Sequence, residues 1–394
     1  MSKHDKVWPA VALEVEKAVE QVLCSGRQSE DLAVSVPRQH PKWGSRDRKL
    51  FVGSLFDILR YWVRYTRLVG GNPDNPESSL IRQALYSLWL SQGKDISALP
   101  PLPDTSFIDE ASLSDAVRAG FPESLWQRMH TDCLDSPDDL MRVLNEPAPF
   151  CLRVNSLKCS LRKMEEILRA EGIAYTLIAD VPGAIILTAH QNLRDREWMQ
   201  NGWVEVQDVS SQQLGHFIRP REGSRILDAC AGTGGKSLHL AALTTNRAVI
   251  FASDVYPAKL DILERRAKRA GAQSIRRYNP ADMPGVLFDT ILIDAPCSGS
   301  GTLRRKAEAK WRMTNEVIEE KIATQRLIVK EQMSHLAPAG EIIYATCSIF
   351  QSENQLQVAY FEQEYGLLLQ EEKVISPLTG FDGFYMARLT RKEH

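Results

Sequence analysis

The feature that most limits what this chain can fold into lies in its C-terminal half. From Val204 onward, short apolar runs alternate with helical patterns: "SRILDACAG" then "GKSLHLAALT", "AVIFASD" then "PAKLDILERRAKRAG", "DTILIDAP" then the long "NEVIEEKIATQRLIVKEQMSHL", and "GEIIYATC" with a helix starting near Ser352. Strands that alternate with helices in this way predict an α/β domain: a doubly wound parallel sheet with helices on both faces, spanning 204–394. In such a sheet, ligands gather beyond the carboxyl ends of the strands. The residues at those ends are therefore the first place to look for chemistry.

Two regions precede it. Residues 1–118 read as an all-α N-terminal domain. In "SRDRKLFVGSLFDILRYWVRYTRLVGG", Leu50, Val52, Leu55, Ile58, Leu59, Trp62 and Val63 recur at helical spacing, and "SSLIRQALYSLWLSQG" is a second amphipathic helix ending near Gly93. Pro100, Pro101 and Pro103 mark a linker. Residues 119–203 read as a small α+β subdomain. Short helices are expected at "FPESLWQRM" and "DLMRVLNEP", strands at "FCLRVNS", "AYTLI" and "AIILT", and a helix at "SLRKMEEILRAEG" stopped by Gly172. A small sheet with a helix on it can serve as an RNA platform, although composition does not by itself show that it does.

Bulk properties exclude several classes. With 43% hydrophobic and 25% charged residues over 394 positions, the chain reads as globular, with material for two or three domains. The start has scattered charges and no long apolar core, so no signal peptide is expected, and no run is apolar for long enough to span a bilayer. Seven widely spaced cysteines without a Cys-x-x-Cys argue against a disulfide framework and a zinc site, and for a reducing, cytoplasmic compartment. A formal net charge of −2 leaves room for a local basic face. Nothing calls for an obligate oligomer, so a monomer is expected.

Four strand ends carry polar or small residues. In "LDACAGTGGKS", Asp228 closes the strand, and Gly232, Gly234 and Gly235 let backbone approach a ligand just before a helix. The spacing is neither that of a Walker A loop nor a clean G-x-G-x-x-G. Asp254 ends the second strand about 20 residues beyond the glycine loop, where an acid accepts ribose hydroxyls; an N-cap is the rival role. Asp282 in "YNPADMP" is placed to bond an adenine amino group, or else is a turn residue. Together these describe a nucleoside cofactor without a phosphate grip, which favours S-adenosylmethionine over NAD or ATP. Lys236 opposes the helix dipole unless it meets an anion, here the cofactor's carboxylate.

Cys24, Cys133, Cys151, Cys159 and Cys230 read as packing residues. Cys297, in "DAPCSGSG", and Cys347, in "YATCSIF", stand instead at two strand tips. A methyl donor and two thiols suit one reaction well. Carbon-5 of cytosine is a poor nucleophile until a thiolate adds at carbon-6. One cysteine can add, the other can assist release, and Asp294 can stabilise the adduct near N3.

Six ordered motifs carry a resemblance: "LRVNSLK", "VQDVSSQ", "LDACAGTGGK", "DAPCSGSGTLRR…KW", "YATCSIFQSEN" and "FDGFYMARL". Over Glu123 to Leu389 the chain resembles the Nop/Sun family of RNA 5-methylcytosine methyltransferases, whose bacterial branch includes 16S ribosomal RNA enzymes. The resemblance implies a Rossmann-like methyltransferase domain. It implies Cys347 as nucleophile, Cys297 in product release and Asp294 on the target base. It places Asp228, Ala229, Cys230, Ala231, Gly232, Gly234, Lys236, Asp254, Asp282 and Asp294 around S-adenosylmethionine. DNA cytosine methyltransferases use a Pro-Cys nucleophile, which leaves Cys297 as an alternative attacker. The chain departs from the family's usual Pro-Gly-Gly-Lys, having Ala231-Gly232-Thr233-Gly234-Gly235-Lys236. "SRDRKLFVGSLFDILRYW" resembles the NusB-like domain attached to some bacterial members.

The expected partner is RNA, ribosomal RNA first and transfer RNA second. In "RRKAEAKWR", Arg304, Arg305, Lys306 and Lys310 follow Cys297 closely and are expected to meet phosphates. The target cytosine, having to reach two thiols, is expected to be flipped out or held in a loop. Amino-group methylation on the same fold and a non-catalytic RNA-binding assembly factor are the rival readings.

Overall fold

The computed structural model describes residues 6–102, 107–188, 193 and 195–392, so Pro103 lies outside the described residues. The chain divides into two compact units.

The helical unit holds residues 1–131, 136–146 and, unexpectedly, 303–315. Its helices are α1 (Pro9–Ser25), α2 (Ser29–Gln39), α3 (Ser45–Arg60), α4 (Trp62–Leu68), α5 (Ser78–Ser91), α6 (Asp115–Arg118), α7 (Glu123–Asp132) and α8 (Pro137–Leu144). Val15, Phe51, Leu55, Ile58, Trp62, Leu85 and Trp89 form its core. The two fully buried indoles of this core find acceptors: Trp62 Nε1 donates to Pro73 O at 3.0 Å and Trp89 Nε1 to Ser54 Oγ at 2.8 Å. The apolar stripe read as one helix is broken at Tyr61, with no proline or glycine there. The cause is Lys310, whose Nζ donates to the Arg60 carbonyl at 3.1 Å and diverts that acceptor from the helical ladder.

The second unit holds residues 132–135, 147–302 and 316–394. It carries two sheets. The smaller one comprises β1 (Phe150–Val154), β2 (Tyr175–Leu177), β3 (Ala184–Leu187) and β4 (Val204–Val206) in the order β2-β3-β1-β4, all antiparallel. Helix α9 (Leu161–Ala170) is capped by Ser160, whose hydroxyl accepts from Lys163 N, and buries Met164 and Leu168 on this sheet's core. The short α10 (Glu197–Gln200) and α11 (Val209–Ile218) lead into the larger part.

The large sheet is built from β5 (Arg225–Asp228), α12 (Gly235–Leu243), β6 (Val249–Ala252), α13 (Pro257–Ala270), β7 (Ile275–Arg277), β8 (Phe288–Asp294), α14 (Asn315–Gln332), β9 (Leu336–Thr346), α15 (Gln355–Tyr365), β10 (Leu367–Ile375) and β11 (Phe384–Arg391). Its order is β10-β11-β9-β8-β5-β6-β7. The strands from β9 to β7 pair in parallel, as the alternation predicts, while β10 and β11 add an antiparallel edge that the sequence reading did not anticipate. Chain order reverses between β5 and β8, which opens the crevice where such sheets bind ligands.

The smaller sheet is joined to the larger through the motif residues. Asn155 Nδ2 donates to Gly202 O and to Ala270 O, both at 2.8 Å, and Gln212 Nε2 donates to Gln207 O at 2.9 Å. Asp208 caps α11 through Ser210 N, and Ser210 Oγ donates to Asp382 O at 2.7 Å, which ties "VQDVSSQ" to the closing "FDGF". These motifs act here as joints.

Candidate active site

Register brings the two cysteines together. Asp294 of β8 pairs with Ala345 of the parallel β9, so the segments beyond them leave the sheet side by side. Ala295 N donates to Ala345 O and Gly301 N to Cys347 O, which closes the two tips onto each other. Cys297 Sγ lies 3.4 Å from Cys347 Sγ. The hydrogen bond with Cys347, followed by burial, pushes the Cys297 thiol well above its ordinary range. Cys297 is thus held as a thiol. No cysteine among the described residues is in a disulfide. Burial also pushes the Cys230 thiol upward.

Beside the cysteines, Lys236 of α12 meets Asp294 with Nζ 2.5 Å from Oδ2. Burial works against the ammonium, but the Asp294 carboxylate outweighs it and raises the Lys236 pKa. Sequence reasoning gave these two residues separate partners and did not foresee their pairing, which is a tertiary contact between α12 and β8.

The glycine loop between β5 and α12 is held from behind by several hydrogen bonds. Asp254 Oδ2 accepts from Gly232 N at 2.9 Å, and Arg266 of α13 donates to Thr233 O at 2.8 Å and to Thr233 Oγ1 at 2.9 Å. Arg153 of β1 donates to Gly235 O at 3.0 Å. Burial drags the Arg153 guanidinium down to about 9, with Glu205 opposing the shift. Glu205 itself is buried and bonds both Arg266 and Arg269. Gly234 is left-handed at φ +89, and a Cβ there would sit 2.6 Å from Leu263. Gly232 is left-handed at φ +55, yet a Cβ at Gly232 or Gly235 would meet nothing within 4 Å. The loop is therefore rigid behind and open in front.

Asp228 is 1% exposed. Its Oδ2 accepts from Ser237 Oγ at 2.6 Å, while Oδ1 has no hydrogen-bond partner. Asp254 is not the N-cap of α13, which is Tyr256; its Oδ1 accepts from Tyr256 N at 2.9 Å in a local turn, and Val255 and Tyr256 beside it expose apolar surface. Asp282 is an exposed turn residue whose Oδ2 accepts from Asn279 Nδ2. Ala229 and Ala231 anchor the loop through their backbone N–H groups, bonded to Leu292 O and Ser253 O.

The cationic cluster after Cys297 needs correcting. Lys310 is fully buried in the helical unit, bonded to Arg60 O and Asn145 Oδ1 with its ammonium 4.1 Å from the Phe121 ring centroid. Arg304 is 6% exposed and lies beside Glu146. Neither faces solvent, so neither is presented to a phosphate. Arg305 is half-buried and Lys306 is exposed. Charge density in sequence gave no warning, because the burial comes from residues far away in the chain.

Sequence reasoning also passed over Ser298, Ser348, Gln325 and Glu353, which surround the cysteines. One signal was present: Cys-Ser occurs at both strand tips.

Comparison with known proteins gives the family. A model described as 16S rRNA methyltransferase RsmB/F matches residues 216–390, and one for the RsmF/B-like ferredoxin-like domain matches residues 121–194. The chain is 32% identical to the ribosomal RNA small subunit methyltransferase B of Escherichia coli O6:K15:H31, over 95% of this chain and 97% of that protein. The Vibrio cholerae protein of the same name is 32% identical over 72% of this chain and 68% of its own length. Among solved structures, PH0851 superposes with a TM-score of 0.80 at 20% identity, covering 96% of this chain and 99% of that one. NSun6 from Pyrococcus horikoshii, solved with SFG, gives 0.64 at 20% identity, covering 70% and 99%. Likeness at that identity shows a shared fold, and the relatives add the lineage: this chain belongs to the 16S rRNA methyltransferase RsmB/F family.

Proposed function

We propose that this protein transfers a methyl group from S-adenosylmethionine to carbon-5 of a cytosine in RNA, ribosomal RNA before transfer RNA, through a covalent adduct of Cys347 at carbon-6. The observation that carries the reading is the 3.4 Å approach of two thiols at the mouth of a parallel sheet, next to the Lys236–Asp294 pair.

The residues present fit the cofactor. Asp228 Oδ1 is buried and unpartnered, and the space in front of Gly232 and Gly235 is open. Asp228, Gly232, Gly234, Lys236 and Asp254 would hold it, with Asp282 at the rim. When bound, S-adenosylmethionine supplies the electrophilic methyl group that carbon-5 takes up.

The chain's own residues do the rest. Cys347 accepts the hydrogen bond from Cys297 and adds to carbon-6, which makes carbon-5 nucleophilic. Asp294, steadied by Lys236, bonds the N3 edge of the base. Cys297 keeps its proton during the addition, because burial and the bond to Cys347 both favour the thiol. A solvent base then takes the carbon-5 proton as the bond from carbon-6 to the Cys347 sulfur breaks, and that sulfur leaves as a thiolate to which the Cys297 S–H group donates a hydrogen bond.

The test uses Cys297→Ala and Cys347→Ala separately, with labelled S-adenosylmethionine and RNA from cells lacking the protein. A denaturing gel reads protein that migrates with RNA attached. Cys297→Ala is expected to trap an adduct and Cys347→Ala to form none. The reverse pattern would make Cys297 the nucleophile. Methylation by wild type, with no adduct from either variant, would overturn covalent catalysis at cytosine in favour of an amino-group target. Parallel reactions on purified 16S ribosomal RNA and transfer RNA decide between substrates.

A further inference from the structure

Glu353 lies at the end of a 3₁₀ turn (Gln351–Glu353) just beyond the Thr-Cys loop, and its side chain is fully buried. Four donors converge on its two oxygens. Oε1 accepts from Ser298 N at 2.8 Å and from Gln325 Nε2 at 3.1 Å. Oε2 accepts from Ser298 Oγ at 2.5 Å and from Ser348 Oγ at 2.6 Å. Among the described residues, no lysine or arginine pairs with it. A buried carboxylate is costly unless its hydrogen bonds are met, and here they are met by the serines that follow the two cysteines and by Gln325 of α14. Ser300 Oγ completes the ring, 3.1 Å from both Ser298 Oγ and Ser348 Oγ.

We propose that Glu353 is the positioning residue of the cysteine pair: its carboxylate, bonded to Ser298 and Ser348, clamps the Pro-Cys loop to the Thr-Cys loop and so sets the distance between the thiols. The assignment of chemistry to the pair rests on the covalent reading above, whereas the clamp itself is a statement about thiol geometry. A neutral glutamine would satisfy the same hydroxyls after they rotate. What the carboxylate adds is charge. The Glu353 charge is one of the influences that raise the Cys297 pKa, after the Cys347 bond, burial and the Cys347 charge. The clamp thus holds Cys297 near Cys347 and biases it toward the protonated form.

Two readouts need no methylation. The first is diamide oxidation, in which two thiols lose two electrons and two protons to the diazene and join as a disulfide; its rate reports how close the thiols are. Glu353→Ala is expected to slow Cys297–Cys347 disulfide formation by on the order of tenfold and to lower kcat by about 10²-fold, with KM for S-adenosylmethionine within about threefold. Ser348→Ala, which removes one of the four donors to Glu353 together with the Ser348 contacts to Ser300 Oγ and Phe350 N, is expected to move both in the same direction by less. The second readout is alkylation of Cys297 against pH, read by peptide mass in a Cys347→Ser background. Glu353→Gln is expected to shift that profile to lower pH, because a negative charge that disfavours the thiolate is gone. A purely structural role would leave it in place. Disulfide formation at the wild-type rate in Glu353→Ala, or an unshifted profile in Glu353→Gln, would overturn the clamp. Slowed disulfide formation alongside a wild-type enzyme that never forms an RNA adduct would uphold the clamp and sink the covalent reading.

Discussion

Asp228 ends β5 with its side chain shut off from water, one oxygen bonded to Ser237 and the other without a partner. Burial pushes its carboxyl up to about 7 from an ordinary 3.8, the Ser237 bond pulling back and the Asp294 charge adding to the rise. The folded protein therefore binds more protons than the unfolded one between those two values. Stability falls as pH rises through that window, and the full loss is present above it. Asp228→Asn is expected to gain about 2–4 kcal/mol at pH 8 and clearly less at pH 5, because one pKa unit corresponds to 1.36 kcal/mol. Urea unfolding at both pH values measures it, and an equal gain at both would show that the carboxyl does not titrate in this way. The same variant is expected to lose affinity for S-adenosylmethionine in a calorimetric titration. At this scale the sequence was informative about which residues gather at the strand ends. Asp228, Cys297, Asp294 and Cys347 could be picked out because each stands at a strand end. The Lys236–Asp294 pair and the Glu353 ring could not, because they join α12 to β8 and one loop to another across long stretches of chain.

Among the elements, the turn from β5 into α12 meets the most constraints. Gly234 is left-handed and its missing Cβ leaves room for Leu263 of α13, while Gly232 is left-handed but faces open space. Alanine at either position pays the left-handed penalty, about 1–2 kcal/mol. At Gly234 it also clashes with a packed leucine, which adds about 1–3 kcal/mol. Gly234→Ala is thus expected to be the more destabilising of the two by thermal or urea unfolding, and equal losses would show that Leu263 yields. Both glycines were visible in the sequence, but only the position of α13 separates their roles. Other elements show the same limit. The parallel strands were legible because each is a short apolar run followed by a helix. The β10–β11 edge was not: along β10 only Leu367 and Ile375 at its ends are buried, so no strong pattern marks it. The break at Tyr61 was likewise hidden, since its cause, Lys310, is distant in sequence.

At the scale of the whole molecule, the chain leaves the catalytic unit soon after Cys297, contributes residues 303–315 to the helical unit, and returns for α14. Chain continuity made 204–394 read as one domain, and a run of cations made its inserted segment read as a phosphate-binding surface. Burial reverses that reading for Lys310, whose ammonium lies over the Phe121 ring and whose pKa is driven well below its ordinary value by burial and then by the Arg60 charge. With a net charge of −2, affinity for RNA has to come from local exposed cations rather than from the molecule's overall field. Lys306 is such a cation, and Lys310 is not. Each phosphate contact on single-stranded RNA contributes about 0.7 to the slope of log affinity against log salt. Lys306→Ala is therefore expected to reduce that slope by about 0.7 and to weaken binding across RNA sequences alike. Lys310→Met is expected to leave the slope unchanged, while thermal unfolding followed against pH loses the part of the alkaline gain in stability that a buried amine produces. Filter binding of a ribosomal RNA fragment over a salt series reads both variants. A reduced slope in Lys310→Met would mean that the segment opens to present its lysine to RNA, and an unchanged slope in Lys306→Ala would move the phosphate path away from this segment altogether.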